Sequence, residues 1–530
     1  MAGSRLTWWV LLWVAIGLGL RLYHWGRDPG MWHDEAAAVL NVLDKDYAEH
    51  FGPLYCANPS PPLFLWVEKA ATGAFGDGTR VLRLFPFLAS CGTLLGMVWV
   101  GRRVMKPRDL VWLVVLVACS DRLLWHACEA KPYAVDALVA VLLMLTMVGP
   151  GRRLAGMFLL YALASPLLLF LSYPAIFLLA AAAMLWLPVL CRSRSVGAWL
   201  SYGLFVMSLV ASFAAVYFGP IRAQQVADLM NDWRTEFPDW SRWWTIPGNL
   251  VLKGTEVFRY ALEPTGNLLV VVALMGLMRW RALWWRQHSC LRAPAQDSDH
   301  DPASDASAGK EQDTGLVQEN AYPTSNVYPT WLGIRRRVLA FALLPMFLLV
   351  LAWLVGKYPL GAKRVVMFLA PGALLLIALG IAPALAWLRR RHLLAAALLL
   401  GLLLFPVAQT AFRVMQPWKR LDSLQPATFV MHQRQGDEPV VGTTWEHAYY
   451  FRTLGSAFRF LKPSALNPPA PSPASSVDGT RPADRLWLIA RPKDFGQRHP
   501  VSYVEPAQTW IAQEQFSFPD FTVYFVTRRE

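Results

Sequence analysis

The sequence predicts an all-α polytopic membrane bundle carrying a small α/β domain at its C-terminal end. Three observations predict it. Apolar blocks of about 17–22 residues recur along the chain, each long enough to cross a hydrocarbon core of roughly 30 Å. The composition is 55% hydrophobic and only 16% charged, with 25 Trp among 530 residues, which few water-soluble folds tolerate. The character then changes after residue 417, where short β-branched and aromatic runs replace the long blocks.

The apolar blocks place spans near 6–24, 82–101, 109–126, 132–149, 154–171, 174–190, 197–218, 265–283, 338–356, 365–387 and 393–411, about eleven crossings. The net charge of +14 is explained by where the basic residues stand. Arg102, Arg103, Lys106 and Arg108, then Arg152 and Arg153, Arg192 and Arg194, Arg335–Arg337 and Arg389–Arg391 fill alternate gaps between blocks. This is the positive-inside pattern, so the charge reports topology and nucleic acid is not an expected partner. It sets the N-terminus in the cytoplasm of a plasma-membrane protein. An odd number of crossings then leaves the C-terminus outside. No small-residue cleavage site follows residues 6–24, so they read as an uncleaved span.

Residues 1–416 form the membrane domain and 417–530 the outer α/β domain. In the first external loop, 25–80, Glu35–Glu49 and the run from Pro61 to Val67 read as two short interfacial helices, each apolar on one side. Residues 287–331 are rich in Asp, Ser, Gln and Pro and read as a disordered inner-face linker. In the outer domain 438–442, 485–490 and 521–526 read as strands. Cys56 and Cys128 are the two cysteines expected on the oxidising side, where a disulfide can form.

The residues that could carry chemistry collect at the outer rim. Trp32-His33-Asp34-Glu35 follows the first span, and a carboxylate beside lipid is costly to keep. The plain reading of Asp34 is a helix N-cap, with Glu35 suiting the first turn. A carboxylate fixed there is also well placed as a base or metal ligand. Asp136 lies one turn inside the fourth span, where an aspartate costs roughly 2.5–3.5 kcal/mol at the helix centre. It must face a cavity or a partner such as Lys131. Lys357, Lys363 and Arg364, with Arg80 and Arg83, stand on the side that positive-inside topology disfavours for cations. There they can snorkel, or hold a phosphate at lipid-headgroup depth. Trp233, Trp240, Trp243 and Trp244 form an interfacial belt or a stacking surface for sugar.

The order of these features resembles the integral-membrane glycosyltransferases that use polyprenyl-phosphate sugars, the GT-C superfamily. The protein-mannosyltransferase-like and RgtA/B/C/D-like branches are most similar. The resemblance is carried by Trp32-His33-Asp34-Glu35, Ser60-Pro61-Pro62-Leu63-Phe64, Arg83-Leu84-Phe85-Pro86, Glu129-Ala130-Lys131-Pro132-Tyr133 with Asp136, Ser172-Tyr173-Pro174, and Tyr358 through Pro371. It implies a GT-C helix bundle with a cavity open to the outside. It implies a sugar donor on polyprenyl phosphate, a hydroxyl acceptor, and membrane lipid as surroundings. Asp34, Asp136 and Glu35 become the catalytic acids. Lys131, Tyr133, Arg83, Tyr173, Lys357, Lys363 and Arg364 become the substrate-binding set. Lys131 stands where many relatives carry arginine, and Ser60 where the aminoarabinose-transferring relatives carry lysine.

A divalent metal is an open alternative for charge stabilisation, with His33 and Glu256 beside Asp34 and Glu35 as its potential ligands; their spacing fixes no geometry. A transporter or lipid-linked-sugar flippase is the alternative function. It shares the bundle and the buried acid, but not the gathering of polar residues at one face.

Overall fold

The computed structural model describes residues 2–149, 154–225, 233–278, 331–361, 363–421, 423–461, 484–495, 499–504 and 510–528. The expected inner-face linker at 287–331 lies almost wholly outside the described residues, as does the end of the expected eighth span.

The first span is α1, Ala2–Gly26. Its Arg21 is fully buried and faces the bundle, as an arginine at membrane depth must. Nε donates to Ser90 Oγ at 2.8 Å, Nη1 to the Gly17 carbonyl at 2.9 Å and Nη2 to the Val117 carbonyl at 3.1 Å, so the guanidinium clamps three helices together. Helix α2, His33–Asp44, and helix α3, Pro62–Phe75, build the first external segment. A short turn α4, Thr79–Leu82, leads into α5, Leu84–Val104. The third apolar block is broken into α6, Pro107–Ala118, and α7, Asp121–Ala127, bent by 50°. Ser120 caps the second piece by accepting from the Leu123 N–H. Then come α8, Tyr133–Val148, α9, Leu154–Leu171, α10, Ala175–Cys191, and α11, Val196–Val216.

Among the described residues seven helices are long and apolar enough to cross a membrane, eight if the bent pair is one span; α8 and α10 are apolar but shorter. The later spans are Trp331–Leu354, Ala370–Arg391 and Leu393–Met415. Ala370–Arg391 is the most enclosed of the spans. A Cβ at Gly380 would overlap the Val272 carbonyl, so glycine lets the helix over 270–278 lie backbone against backbone on it.

Two expectations for the first external segment change. The N-cap of α2 is Trp32, and Asp34 lies within the first turn rather than capping it. Residues 35–42 are buried all round instead of on one face. The reason is the C-terminal domain: its helix Trp445–Tyr450 covers α2, and the Met31 N–H donates to the Tyr450 hydroxyl at 3.0 Å.

The C-terminal domain is a five-stranded mixed sheet, β1 Val440–Gly442, β2 Phe458–Phe460, β3 Arg485–Ala490, β4 Trp510–Ser517 and β5 Thr522–Arg528, in the order β2-β1-β3-β5-β4. β1 pairs in parallel with β2 and β3, while β3, β5 and β4 are antiparallel. Alternation along β3 sends Trp487 and Ile489 to one core, with Val440, Phe521 and Val523, and Leu486, Leu488 and Ala490 to the other. Three of the five strands match the sequence reading. β2 is as short as β1 but has the exposed Arg459 at its centre, and β4 carries Gln513, Glu514 and Gln515 at its centre, which hides its period.

This domain touches the first external segment, so both lie at one end of the bundle. If α1 crosses, the number of crossings up to the domain is therefore odd. The expected disulfide is absent: Cys56 and Cys128 are both free, and the Cys128 thiol, fully buried, donates to the Trp125 carbonyl at 3.3 Å.

Candidate functional site

Between α2, α8, the turn Lys363–Leu369 and the C-terminal domain lies a cavity of about 1840 Å³. Asp34, Lys131, Tyr133, Asp136, Tyr173, Lys357 and Arg364 all line it, as does His33. Residues from five separate stretches of chain are thus brought to one space.

Asp34 is paired with Arg364, whose guanidinium also lies 5.4 Å from the centre of the Trp32 ring. The backbone carbonyl of Asp34 accepts from Asn58 Nδ2 at 3.2 Å, and Lys131 Nζ donates to Asn58 Oδ1 at 2.6 Å. Asn58 therefore ties the acid-bearing turn to the lysine. Burial lowers the Lys131 ammonium from its usual range to about 8, against the opposing pull of Asp34 and Glu129. Asp136 does not pair with Lys131; its Oδ1 accepts from the Ser172 hydroxyl at 2.6 Å. The Tyr173 hydroxyl donates toward the Gln224 side-chain oxygen at 3.0 Å, and Gln224 in turn binds the Ser60 backbone on both sides. Ser172 and Ser60 thus brace Asp136 and Tyr173 from behind the cavity lining.

Glu35 and Arg83, expected in the site, are not among the lining residues. Both are fully buried, and Arg83 Nε reaches Glu35 Oε1 at 2.6 Å and Nη2 reaches Oε2 at 2.8 Å, a bidentate pair. Arg420 adds a contact at 2.9 Å and the Ala130 N–H another at 2.8 Å. Burial pushes this carboxyl up, but the two arginines and the backbone bond outweigh it and hold it below its usual value. Glu35 is a locked ion, fixing Asp34 on one side and the 129–131 loop on the other. Glu35, expected as a catalytic acid, and Arg83, expected to bind substrate, thus face each other and not the cavity. Lys363 lies in the turn beside Arg364, and its side chain falls outside the described portion.

The metal expectation does not fit. His33 Nδ1 faces Glu446 Oε2 at 3.4 Å, and Glu256 pairs with Arg259 at 3.7 Å without lining the cavity. Asp34 is already engaged by Arg364. Among the described residues no group of three or more His, Cys, Asp or Glu could hold an ion.

The sequence reading passed over two groups. Arg420 follows the last span and carried no signal of its own. His126, Glu129 and Tyr260 line the cavity joined by short contacts. Glu129 stands in the run Glu129–Tyr133, but Tyr260, which meets the far edge of its partner His126, lies 134 residues beyond that histidine. Chemically, the cavity offers a carboxylate able to take a proton beside cations able to hold an anion.

Comparison of the sequence with protein-family models and with curated proteins found no match. Solved structures do match. The crystal structure of ArnT from Cupriavidus metallidurans bound to undecaprenyl phosphate superposes over 98% of each chain at a TM-score of 0.51 and 13% identity. The Archaeoglobus fulgidus oligosaccharyltransferase in its apo form aligns with 84% of this chain and 64% of its own, at a TM-score of 0.43 and 11% identity. The first match carries the fold assignment: this multi-pass chain, bundle and C-terminal domain together, shares the fold of that ArnT structure.

Proposed function

We propose that the protein is a membrane glycosyltransferase. It moves a sugar from a polyprenyl-phosphate donor to an acceptor hydroxyl at the outer face of the plasma membrane, with inversion at the anomeric carbon. The observation that carries this reading is the meeting of Asp34 with Arg364 and Lys131 in one large cavity. The shared fold with an ArnT captured with undecaprenyl phosphate supports the lipid-phosphate donor.

The chemistry follows from the groups present. The donor phosphate is an anion, and Arg364 and Lys131 are the cations nearest the acid, with Lys357 further along the wall. A phosphate arriving at Arg364 competes with Asp34 for the guanidinium and releases the carboxylate. The acceptor oxygen then bonds to the anomeric carbon as the carbon–oxygen bond to phosphate breaks. The bonding pair leaves with the polyprenyl phosphate, and Asp34 takes the acceptor proton. Arg364 and Lys131 stabilise the charge that builds on the leaving phosphate. Asp136, held by Ser172, lines the same space as the second acid, and Tyr133 and Tyr173 complete the wall.

The test is transfer in proteoliposomes, with undecaprenyl phosphate carrying a radiolabelled sugar and a crude envelope-lipid extract as acceptor. Label leaving the donor for the acceptor is the expected result. Donor that crosses the bilayer without being consumed would make the protein a flippase instead.

A further inference from the structure

One string of buried groups in the cavity wall is unused by that chemistry. Glu129, 0% exposed, accepts from the Trp32 indole N–H at 3.1 Å through one oxygen and lies 2.5 Å from His126 Nδ1 through the other. On the far edge of the imidazole, Nε2 lies 2.7 Å from the hydroxyl of Tyr260, on the helix Ile246–Ala261. His126, Glu129 and Tyr260 all line the cavity.

The chemistry of the string sets its polarity. With His126 as the neutral imidazole, the carboxylate, which only accepts, takes a hydrogen bond from Nδ1–H, and Nε2 keeps its lone pair. The Tyr260 O–H is then spent on Nε2, and the phenol oxygen has only acceptor capacity left for the cavity. Such an atom repels a phosphate, which also only accepts, and fits a hydroxyl. The nearby cations do not change this: Arg122, 5.5 Å from the centre of the Tyr260 ring, is held by Glu263, and Arg364 by Asp34.

The string also has an address. Trp32, which binds Glu129, stands two residues before Asp34 and carries Arg364 over its ring. Lys131 follows Glu129 by two residues. The hydroxyl that Tyr260 meets therefore lies beside the reacting centre, where the donor sugar and the acceptor both carry one and a polyprenyl chain has none; binding measured without acceptor reports the sugar alone.

We propose that Tyr260, aimed by His126 and Glu129, accepts a hydrogen bond from a hydroxyl of the transferred sugar. Tyr260 thus recognises the sugar itself, separately from the phosphate. This rests on reading the cavity as a polyprenyl-phosphate-sugar site. His126 and Glu129 act through Tyr260 as positioning residues.

The experiment measures affinities of the full chain in lipid nanodiscs for undecaprenyl phosphate and for undecaprenyl phosphate bearing gluco-, manno- or galacto-hexose or arabinose. The readout is the preference for the best sugar-bearing lipid over the sugar-free one. Tyr260→Phe, which removes one oxygen and no packing, is expected to cut that preference about tenfold. Its affinity for sugar-free undecaprenyl phosphate stays within about twofold, which also certifies the fold. His126→Phe, which frees the phenol from its fixed direction, lowers the preference in the same sense. An unchanged preference in Tyr260→Phe overturns the inference and leaves the lipid-phosphate reading standing. So does equal weakening of both lipids, which marks a phosphate contact or a packing role, or a wild-type protein that gains nothing from any sugar. A wild-type protein that binds no undecaprenyl phosphate sinks the donor reading and this inference with it.

Discussion

Nη1 of Arg420, on the segment that leads into the C-terminal domain, lies 2.9 Å from Oε2 of Glu35, on the turn that carries Asp34. The contact spans 385 residues of sequence and joins the last part of the chain to the first. With Arg83 and the Ala130 N–H it holds Glu35 from three sides, so the direction of Asp34 depends on the C-terminal connector as well as on α2 itself.

Removing that ion leaves two arginines facing each other in the interior. Glu35→Ala should destabilise the protein by about 3–5 kcal/mol, the usual cost of orphaning a buried charge. Thermal unfolding of the detergent-solubilised chain reads it. A Glu35→Ala protein that melts with the wild type yet transfers no sugar would return Glu35 to the chemistry.

Asp34→Asn keeps the shape of the turn and removes the base. Transfer should fall by about 10²–10⁴ while undecaprenyl phosphate still binds. Asp136→Asn should also abolish transfer while the protein inserts normally. Undiminished turnover in either variant excludes that residue from the reaction.

Lys131 sets a pH dependence. Its ammonium is charged below about 8 and neutral above, so donor affinity should fall as pH rises through that value. At pH 9 about a tenth of the free protein keeps the charge. Lys131→Arg holds its charge well beyond this range and should flatten the profile. Identical affinity curves for the two proteins would remove Lys131 from phosphate binding.

Glu68 on α3 is fully buried and neither carboxyl oxygen has a partner among the described residues. Burial, and then Glu35, raise it well above the usual carboxylate range, so it is carried neutral. The native state then binds a proton that the unfolded state releases near pH 4.5. Stability from this group is present below that pH and is lost as pH rises through the higher folded value. Glu68→Leu should stabilise the protein by about 1–3 kcal/mol at neutral pH and flatten this slope. Chemical denaturation at several pH values decides it, and a destabilised Glu68→Leu protein would show that the carboxyl has a function.

Chelation gives the last expectation. The donor set around Asp34 is committed to Arg364 and Lys131 through Asn58, so EDTA should leave transfer intact. Activity lost to EDTA and restored by a divalent ion would mean that substrate binding reorganises these contacts into a metal site.

Much of the architecture was legible because the bilayer is a severe local constraint. A span must be a continuous apolar run, and a charge at that depth must be excused, so the spans and the unusual position of Asp136 stand out from neighbouring residues alone. The strands of the C-terminal domain were legible where they were apolar. They were lost where β2 set an exposed arginine, Arg459, at the centre of three residues, or β4 turned polar on an exposed edge.

Asp34, Lys131, Asp136 and Arg364 could each be picked out by type and place, because each is a charge where lipid disfavours one. Which of them meet was beyond local signals. Asp34 found Arg364 rather than a helix cap, Asp136 found Ser172 rather than Lys131, and Glu35 was drawn into a lock with Arg83 and Arg420. By itself the sequence determined the multi-pass membrane class and which charges stand where lipid disfavours them. Tertiary structure alone decided the partners, because a buried charge takes whichever counter-charge the folded chain delivers to it, however distant in sequence.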